Sequence, residues 1–491
     1  MALLTTTTTA ALRLTPLSAK ALPSALLEAL AREDSPVLLD SSALHPELGR
    51  YSVVGCRPIE VITLSGGRLC DAAGGVLAQG QGPQILQRLG QAFAAVKLAA
   101  GAPAVPYAPG WIGYVGYEVG RCIERLPGRA RRDTHLPDLR LAFYDALLVY
   151  DSLAGAWRLA ELVFDRPVAG AGEAGKRLVR LLAEASVGPS QRPASPAEAA
   201  DATVGPGAPD ATCNFTPDQY RRAVARAVEY IAAGDIFQVN LSQRFTVAGV
   251  PAPAAIYRAL RGRNPAWYAA YLAFEHAGAK LAVLSSSPEL FLRVRGGLVT
   301  TRPIKGTRPR IGQGHAARAA AAELVVSEKG NAELAMIIDL LRNDLGRVCR
   351  FGSVRVTDPV RLETHPTLFH LVGTVEGVLR EGVGPADLLA ATFPGGSITG
   401  APKIRAMEII DELEGLARGV YTGCIGHVGV DGSCEWNIAI RTIVCDGDLA
   451  HVQVGGGIVA DSLPDGEYLE TLHKARALLE AIALARGGVG R

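Results

Sequence analysis

The sequence predicts a mixed α/β fold, with an antiparallel sheet in its first half and strands alternating with helices in its second. Short β-rich runs bounded by turn residues include 36–39, 51–54 and 146–150. Amphipathic helical patterns follow later in the chain. Hydrophobic residues occupy 48% of the 491 positions, enough to fill one very large core or two fused ones.

Three long helical patterns mark the second half. Thr216 is a good N-cap for an amphipathic run at 220–233, and Gly234 is a natural stop. Two further helical segments cover roughly 316–345 and 465–484. Strand-like runs between these segments indicate α/β alternation.

A stretch rich in Pro, Gly, Ala and Ser lies at 187–211 and lacks apolar periodicity. We predict that it is a flexible surface linker. It divides the chain into an N-terminal region, 1–186, and a C-terminal region, 212–491.

Composition excludes several function classes. Lys plus Arg (50) and Asp plus Glu (48) nearly cancel, so the chain lacks the basic footprint of a nucleic-acid or membrane-surface binder. The sequence contains no run of 18 apolar residues, so we do not expect a membrane span. Residues 1–30 lack the apolar stretch of a secretory signal. The eight cysteines include no CxxC pair, which favours a reducing compartment. We therefore expect a cytoplasmic protein.

Lys305 lies within the basic segment 300–310, TTRPIKGTRPR. Apolar burial and the positive charges of Arg302, Arg308 and Arg310 would both favour the neutral amine, which is the nucleophilic form of lysine. The alternative is a solvated basic turn that covers a sheet edge.

Carboxylates on two predicted helices form a second candidate site. Glu333 lies on an otherwise apolar helical face, and Glu467, Glu470 and Lys474 project from one side of the last helix. Three carboxylates could hold Mg²⁺, which prefers hard oxygen ligands. Read alone, Glu470 and Lys474 also fit an exposed i,i+4 ion pair.

Two glycine-rich segments could bring backbone amides close to a small dianion. Residues 394–403, PGGSITGAPK, lead into a predicted helix, and 455–457 follow a strand-like run. Arg441 ends or lies within another strand. Each glycine segment also fits an ordinary tight turn.

These motifs, in this order, resemble those of the chorismate-utilising enzymes, which include the anthranilate synthase large subunit, aminodeoxychorismate synthase, isochorismate synthase and salicylate synthase. The strong matches are GDIFQVNLSQRF (234–245), SSSPELF (285–291), PIKGTRPR (303–310), AELAMIIDLLRND (332–344), PGGSITGAPKIRAMEIIDELE (394–414) and GGGIVADS (455–462). Looser matches in the first half are LLDSS (38–42), GRYSVVG (49–55), GWIGYVGYE (110–118) and FYDALLVYD (143–151).

The resemblance implies one large α/β (α+β) unit, in which two facing antiparallel sheets with outer helices draw strands from both halves. It identifies 1–186 as an N-terminal region of the anthranilate-synthase-component-I type and 212–491 as the chorismate-binding catalytic region.

Lys305 separates the members of this group, because anthranilate synthases resemble this chain but carry alanine there. Lysine indicates aminodeoxychorismate synthase, which aminates chorismate at C4 on the route to 4-aminobenzoate and folate. The resemblance implies covalent attack by Lys305 on C2 of chorismate, with Glu289 as the acid for the departing C4 hydroxyl and His370 near the reacting ring.

The resemblance also implies a substrate site and a metal site. The expected chorismate contacts are Ser397, Thr399, Tyr421, Arg441, Lys474 and the amides of Gly455, Gly456 and Gly457. Glu333, Glu467 and Glu470 are expected to hold Mg²⁺ beside a substrate carboxylate.

Ammonia is expected from a separate glutamine amidotransferase subunit. Cys424 lies in a segment that superficially resembles a glutaminase cysteine elbow, but Thr422 stands where that elbow needs glycine. Two alternatives to aminodeoxychorismate synthase stay open: an anthranilate synthase large subunit, and a non-catalytic chorismate or tryptophan sensor.

Relatives of this group also bind tryptophan in the first half. The corresponding positions here are Ser41, Gly49, Arg50, Tyr51, Trp267 and Tyr268. Trp267 is larger than the usual residue and could block an indole pocket, so tryptophan binding is a hypothesis for this chain.

Overall fold

The computed structural model describes residue 4 and residues 7–187, 210–310, 314–365 and 368–487. Apart from its ends, the predicted linker at 187–211 lies outside the described residues. No described helix combines the length and the hydropathy that crossing a bilayer requires.

The described residues form 25 strands, which are β1 (Thr8–Leu17), β2 (Val37–Asp40), β3 (Tyr51–Gly55), β4 (Glu60–Ser65), β5 (Arg68–Cys70), β6 (Val76–Gln79), β7 (Val96–Leu98), β8 (Gly110–Val115), β9 (Leu139–Tyr144), β10 (Ala146–Asp151), β11 (Ala156–Phe164), β12 (Thr212–Cys213), β13 (Gln238–Ala248), β14 (Tyr268–His276), β15 (Ala279–Ser287), β16 (Leu290–Arg295), β17 (Leu298–Arg302), β18 (Ile304–Pro309), β19 (Arg355–Thr364), β20 (Leu368–Val378), β21 (Gly400–Ala401), β22 (Cys424–Gly429), β23 (Cys434–Asn437), β24 (Thr442–Asp446) and β25 (Leu449–Ile458).

The helices of the described residues are α1 (Leu27–Leu30), α2 (Pro83–Phe93), α3 (Glu173–Val187), α4 (Pro217–Ala232), α5 (Pro253–Arg263), α6 (His315–Val325), α7 (Glu328–Gly346), α8 (Pro385–Thr392), α9 (Lys403–Leu413) and α10 (Pro464–Gly487). Short 3₁₀ turns cover Pro23–Leu26, Tyr117–Cys122 and Gly396–Ile398.

Helix caps explain where two of the predicted helices begin. Thr216 and Gln219 form a complete capping box at the start of α4, as the sequence predicted for Thr216. The single helical segment expected at 316–345 is wrong. Its two halves, α6 and α7, are separated at Ser327, whose side chain accepts a hydrogen bond from the Gly330 amide and caps the second helix.

The described strands form two large sheets. The first has 13 strands, in the order β12-β13-β25-β24-β15-β14-β2-β3-β10-β11-β1-β7, with β21 paired to β13. The second has 12, in the order β18-β20-β17-β16-β23-β22-β8-β9-β4-β5-β6, with β19 paired to β20. Neighbours pair in antiparallel fashion, apart from β1 and β7, which are parallel.

Both sheets interleave the two halves of the chain. Strand β2 pairs with β14 in the first sheet, and β8 pairs with β22 in the second. One buried cluster joins Val53 and Tyr144 of the first half to Val283 and Ile425 of the second. The predicted fold class, two large sheets with outer helices, is confirmed. The two halves share a core and do not pack as independent units.

Candidate active site

The Lys305 side chain lies between the two sheets. It extends from β18 of the second sheet, and a Cβ atom added to Gly457 of the first sheet would lie 3.5 Å from its Nζ. The segment around Lys305 is a strand paired with β20, so the alternative of a solvated turn is wrong.

The flanking arginines do not crowd the Lys305 amine as expected, because each is engaged elsewhere. Arg302 pairs with Glu363, Arg308 with Glu323, and Arg310 donates to the carbonyl of His365. The expectation that these three cations favour the neutral amine is therefore wrong.

Burial is the main cause that lowers the pKa of Lys305, and the nearby positive charge of Lys474 adds to it. The carboxylates of Glu333, Glu289 and Glu470 act in the opposite direction. Desolvation outweighs the carboxylates, so the net effect favours the neutral amine that a nucleophile needs.

Glu289 lies between β15 and β16 and is almost fully buried. Ser397 Oγ donates a hydrogen bond of 2.7 Å to its Oε1. Burial raises the pKa of Glu289 to about 7, although the Ser397 hydrogen bond and the Lys305 charge both oppose that rise. A carboxyl group with this pKa can donate a proton near neutral pH.

Gly456 and Gly457 leave room at the centre of this pocket. They lie within β25, so the alternative of a tight turn is wrong. A Cβ on Gly456 would lie 2.9 Å from Oε2 of Glu467 and 3.8 Å from Oε1 of Glu470. Side chains at these positions would fill the space between Lys305 and the α10 carboxylates.

Lys474 joins the carboxylate side of the pocket to the glycine strand. Its Nζ lies 2.7 Å from Oε1 of Glu470, which confirms the i,i+4 ion pair that the sequence left as an alternative. The same Nζ donates to the carbonyl of Gly455 at 2.8 Å. The ion pair therefore lies at the pocket and not on a remote helix face.

The α10 carboxylates suit a hard cation. Glu467 is buried and accepts a hydrogen bond from Ser462, and burial, with a further contribution from Glu470, raises its pKa. A divalent cation between these two carboxylates would relieve that unfavourable charge. Among the described residues, however, no three His, Cys, Asp or Glu side chains converge into a ready metal site. Glu333 contributes its charge from the Lys305 side.

Arg441 supplies a cation without a carboxylate partner among the described residues. It lies just before β24 with φ of 52°, and its hydrogen bond is to the carbonyl of Lys474 at 3.4 Å. Burial lowers the pKa of Arg441, against the opposing effects of Tyr421 and Glu470. A desolvated guanidinium beside Tyr421 fits an incoming anion.

His370 lies near the start of β20, opposite Thr307 of β18. Its Nδ1 lies 2.9 Å from Oγ1 of Thr307, and its buried Nε2 has no partner in the described part of the chain. Burial lowers the pKa of His370 to about 3.

Thr399 was expected to contact chorismate. In the structure its hydroxyl donates a hydrogen bond to the carbonyl of Gly395 at 3.0 Å.

Gln238 is a pocket residue that the sequence reasoning missed. It lies on β13 with no exposed surface, and both of its amide atoms lack partners within the described residues. Its Nε2 is 3.0 Å from a Cβ position on Gly457. Asn240 Oδ1 is similarly unpaired. The signal was available, since polar side chains inside a buried strand require partners.

The predicted tryptophan site is only partly assembled. Ser41, Tyr51, Trp267 and Tyr268 line one small cavity of about 30 Å³, room for roughly one water molecule. The Trp267 ring stacks on His365 at 4.2 Å between centroids. Gly49 packs against Trp267, whereas Arg50 bonds to Asp151. Free tryptophan has no room here in this conformation, so its binding stays a hypothesis.

Between its two sheets the pocket thus combines a half-buried lysine, a buried acid, two neighbouring carboxylates and a guanidinium that has no carboxylate partner among the described residues. The profile of the family described as chorismate binding enzyme matches residues 50–480. The chain belongs to this family.

Similar proteins narrow the class to synthase large subunits. The chain is 40% identical to anthranilate synthase component 1 of Pseudomonas putida, over 94% of this chain and 93% of that protein. It is 36% identical to aminodeoxychorismate synthase component 1 of Bacillus subtilis, over 89% and 90%. The crystal structure of anthranilate synthase component I from Streptococcus pneumoniae superposes with a TM-score of 0.72 at 31% identity, covering 89% of this chain and 94% of that one. This chain is a chorismate-utilising synthase large subunit.

Proposed function

We propose that the chain is the synthase subunit of 4-amino-4-deoxychorismate synthase, on the route to 4-aminobenzoate and folate. The observation that carries the proposal is the Lys305 side chain, which extends between the sheets toward Gly457 with a pKa lowered chiefly by burial. The buried acid Glu289 lies close enough for its charge to affect that pKa. A nucleophile and an acid in one pocket suit stepwise displacement of a hydroxyl group.

The proposed reaction has two displacements. The neutral Lys305 amine forms a C–N bond at C2 of chorismate, the ring double bonds shift, and the C4 hydroxyl leaves as water with a proton from Glu289. Ammonia then bonds to C4 and returns one proton to the Glu289 carboxylate, the double bonds shift back, and the lysine amine departs from C2. The net change is chorismate plus ammonia giving aminodeoxychorismate plus water.

Substrate carboxylates would bind at the cationic side of the pocket. Arg441 offers a guanidinium that forms no ion pair within the described residues, and Lys474 and the β25 amides border the same space. Glu467 and Glu470, with Glu333 opposite, would hold Mg²⁺. When bound, the ion would neutralise substrate charge.

Ammonia would come from a separate glutamine amidotransferase subunit. Cys424, in the segment that resembles a glutaminase elbow, is fully buried in β22, and burial raises the pKa of its thiol. That environment suits a structural cysteine and not a catalytic thiolate.

Anthranilate synthase is the second candidate. The relatives with 40–43% identity to this chain, from Pseudomonas putida and Thermus thermophilus among others, carry that name. Under this alternative the pocket would aminate C2 and release pyruvate, and Lys305 would have another role.

Product identification decides between the candidates. The purified protein is incubated with chorismate, Mg²⁺ and an ammonium salt. The products are separated by chromatography and identified by mass spectrometry. We expect aminodeoxychorismate, and we expect Lys305→Ala to reduce its formation at least roughly a thousandfold, the scale of losing a catalytic nucleophile. Lys280→Ala, at an exposed lysine of β15, is the control and should be unaffected.

The other outcomes each select an alternative. Anthranilate as the product would identify an anthranilate synthase and overturn the proposal. Binding of chorismate without formation of any product would favour the alternative of a non-catalytic chorismate sensor.

A further inference from the structure

A buried ion pair lies beneath the wall of the pocket that carries Tyr421. The side chains of Arg418 and Glu414 are 1% and 2% exposed. Arg418 Nη2 donates to Oε1 of Glu414 at 2.6 Å, and Nε donates to Oε2 at 2.9 Å. Glu414 thereby neutralises a guanidinium that could not otherwise be buried.

The remaining contacts of Arg418 reach both sides of the substrate pocket. Nη1 donates to the carbonyl of Ile398 at 3.0 Å, directly after the Ser397 that bonds Glu289. Nη2 also donates to the carbonyl of Asn240, on β13, at 2.7 Å. The guanidinium lies 5.8 Å from the centre of the Tyr421 ring. One side chain therefore connects two backbone segments of the pocket and lies beside the Tyr421 ring.

The first half of the chain holds Arg418 from behind. The carboxylate of Glu118 accepts hydrogen bonds from the backbone amides of Arg418 and Gly419, at 2.8 and 2.9 Å. The amide of Tyr117 donates to the carbonyl of Gly419 at 2.7 Å, and its ring centre lies 4.7 Å from the guanidinium. These contacts give a role to the GWIGYVGYE motif, which the proposed reaction leaves unused.

We infer that Arg418 is a positioning residue for chorismate binding and that Glu118 fixes its backbone. Neither the Arg418 nor the Glu118 side chain is placed to touch a reacting atom. Both act through Tyr421, the 3₁₀ turn Gly396–Ile398 and β13. The inference rests on the proposed substrate contacts of these segments and not on which amine product forms. Stability alone does not require such an arrangement, because apolar residues of similar volume often replace a buried ion pair without loss.

Two conservative variants test the inference. Arg418→Lys keeps a charge opposite Glu414 but cannot reach both carbonyls, since the ammonium lacks the guanidinium fork. Glu118→Gln keeps the shape but places an amide N–H₂ group against a backbone donor. We expect each to raise KM for chorismate about tenfold with kcat changed less than about threefold, the pattern of lost binding.

The control is Glu60→Gln on β4, another buried first-half glutamate, whose carboxylate accepts a hydrogen bond from the Val61 amide and not from the Arg418 segment. It should keep the wild-type KM. Rates are measured as chorismate consumption, so the readout does not depend on the product. Thermal midpoints are recorded for every variant.

The outcomes separate positioning from a structural role. If the variants keep the wild-type KM and lose rate only in proportion to their folded fraction, the ion pair is structural and the inference is wrong. If Arg418→Lys does not fold, Glu118→Gln decides alone. If the wild-type protein turns over no chorismate, the proposed function fails, and calorimetric dissociation constants for chorismate replace KM in the same comparison.

Discussion

The two ends of the candidate active site handle charge in opposite ways. At the buried end, Glu289 and Lys305 affect each other electrostatically, yet within the described residues Lys305 forms no ion pair. Burial raises the pKa of Glu289 and lowers the pKa of Lys305, so it favours the neutral form of each group. At the open end, Glu470 and Lys474 form a direct ion pair, with side chains 53% and 31% exposed. Lys474 is the main cause that lowers the pKa of Glu470.

This difference suits the buried end to proton transfer and the open end to the binding of ions and substrate carboxylates. Groups that must gain or lose a proton benefit from a site that water does not dominate. Groups that must exchange a protein partner for a metal ion or a substrate carboxylate benefit from contact with solvent, where exposed ion pairs contribute little to stability and separate readily. The predictions below test the two ends separately.

The largest effect is expected at the buried end. Glu289→Gln keeps the volume and a hydrogen-bonding group but removes the transferable proton. We expect kcat to fall by roughly 10²- to 10⁴-fold with little change in KM, the usual contribution of a positioned general acid. Steady-state rates of product formation would measure this effect.

The matched control is Glu376→Gln on β20, where the carboxylate accepts a hydrogen bond from Thr300 outside the pocket. It should retain the wild-type kcat. A Glu289→Gln enzyme with a normal kcat would show that another group supplies the proton.

An intermediate effect is expected at the open end. Glu470→Gln removes one carboxylate from the proposed metal site and frees Lys474. We expect the Mg²⁺ concentration for half-maximal activity to rise roughly 10- to 100-fold, and calorimetry of the protein with Mg²⁺ alone to show the same weakening.

Glu480→Gln serves as the control because it breaks another ion pair of α10, with Arg263. It should leave the Mg²⁺ dependence unchanged. Equal Mg²⁺ affinity in the Glu470→Gln and wild-type proteins would remove Glu470 from the metal site.

The smallest effect is a shift of the pH profile. In the proposed reaction Glu289 acts in its protonated form, so the wild-type rate should fall as pH rises through about 7, the pKa of this group. Ser397 donates a hydrogen bond that favours the carboxylate, so Ser397→Ala should raise this pKa and move the falling limb to higher pH by about one unit. Rates of product formation for both proteins, measured between pH 5 and 9, would show this shift. A limb that stays in place or moves to lower pH contradicts the assignment.

Local patterns correctly predicted the Thr216 cap of α4 and the i,i+4 ion pair of Glu470 and Lys474. Both features depend only on neighbours within a few residues. The break at Ser327 was missed because the helical patterns on its two sides were joined across the polar residues 327–331.

The class of this protein follows from its sequence alone, because the motifs typical of the chorismate-binding family occur in it in the family's order. The surroundings of each group in the pocket follow only from the three-dimensional fold. The arginines beside Lys305 in sequence turn to other partners, whereas Lys474 and Gly457 reach it from distant elements. Burial and charge pairing depend on which strands face each other across the two sheets, and sequence neighbours do not specify that arrangement.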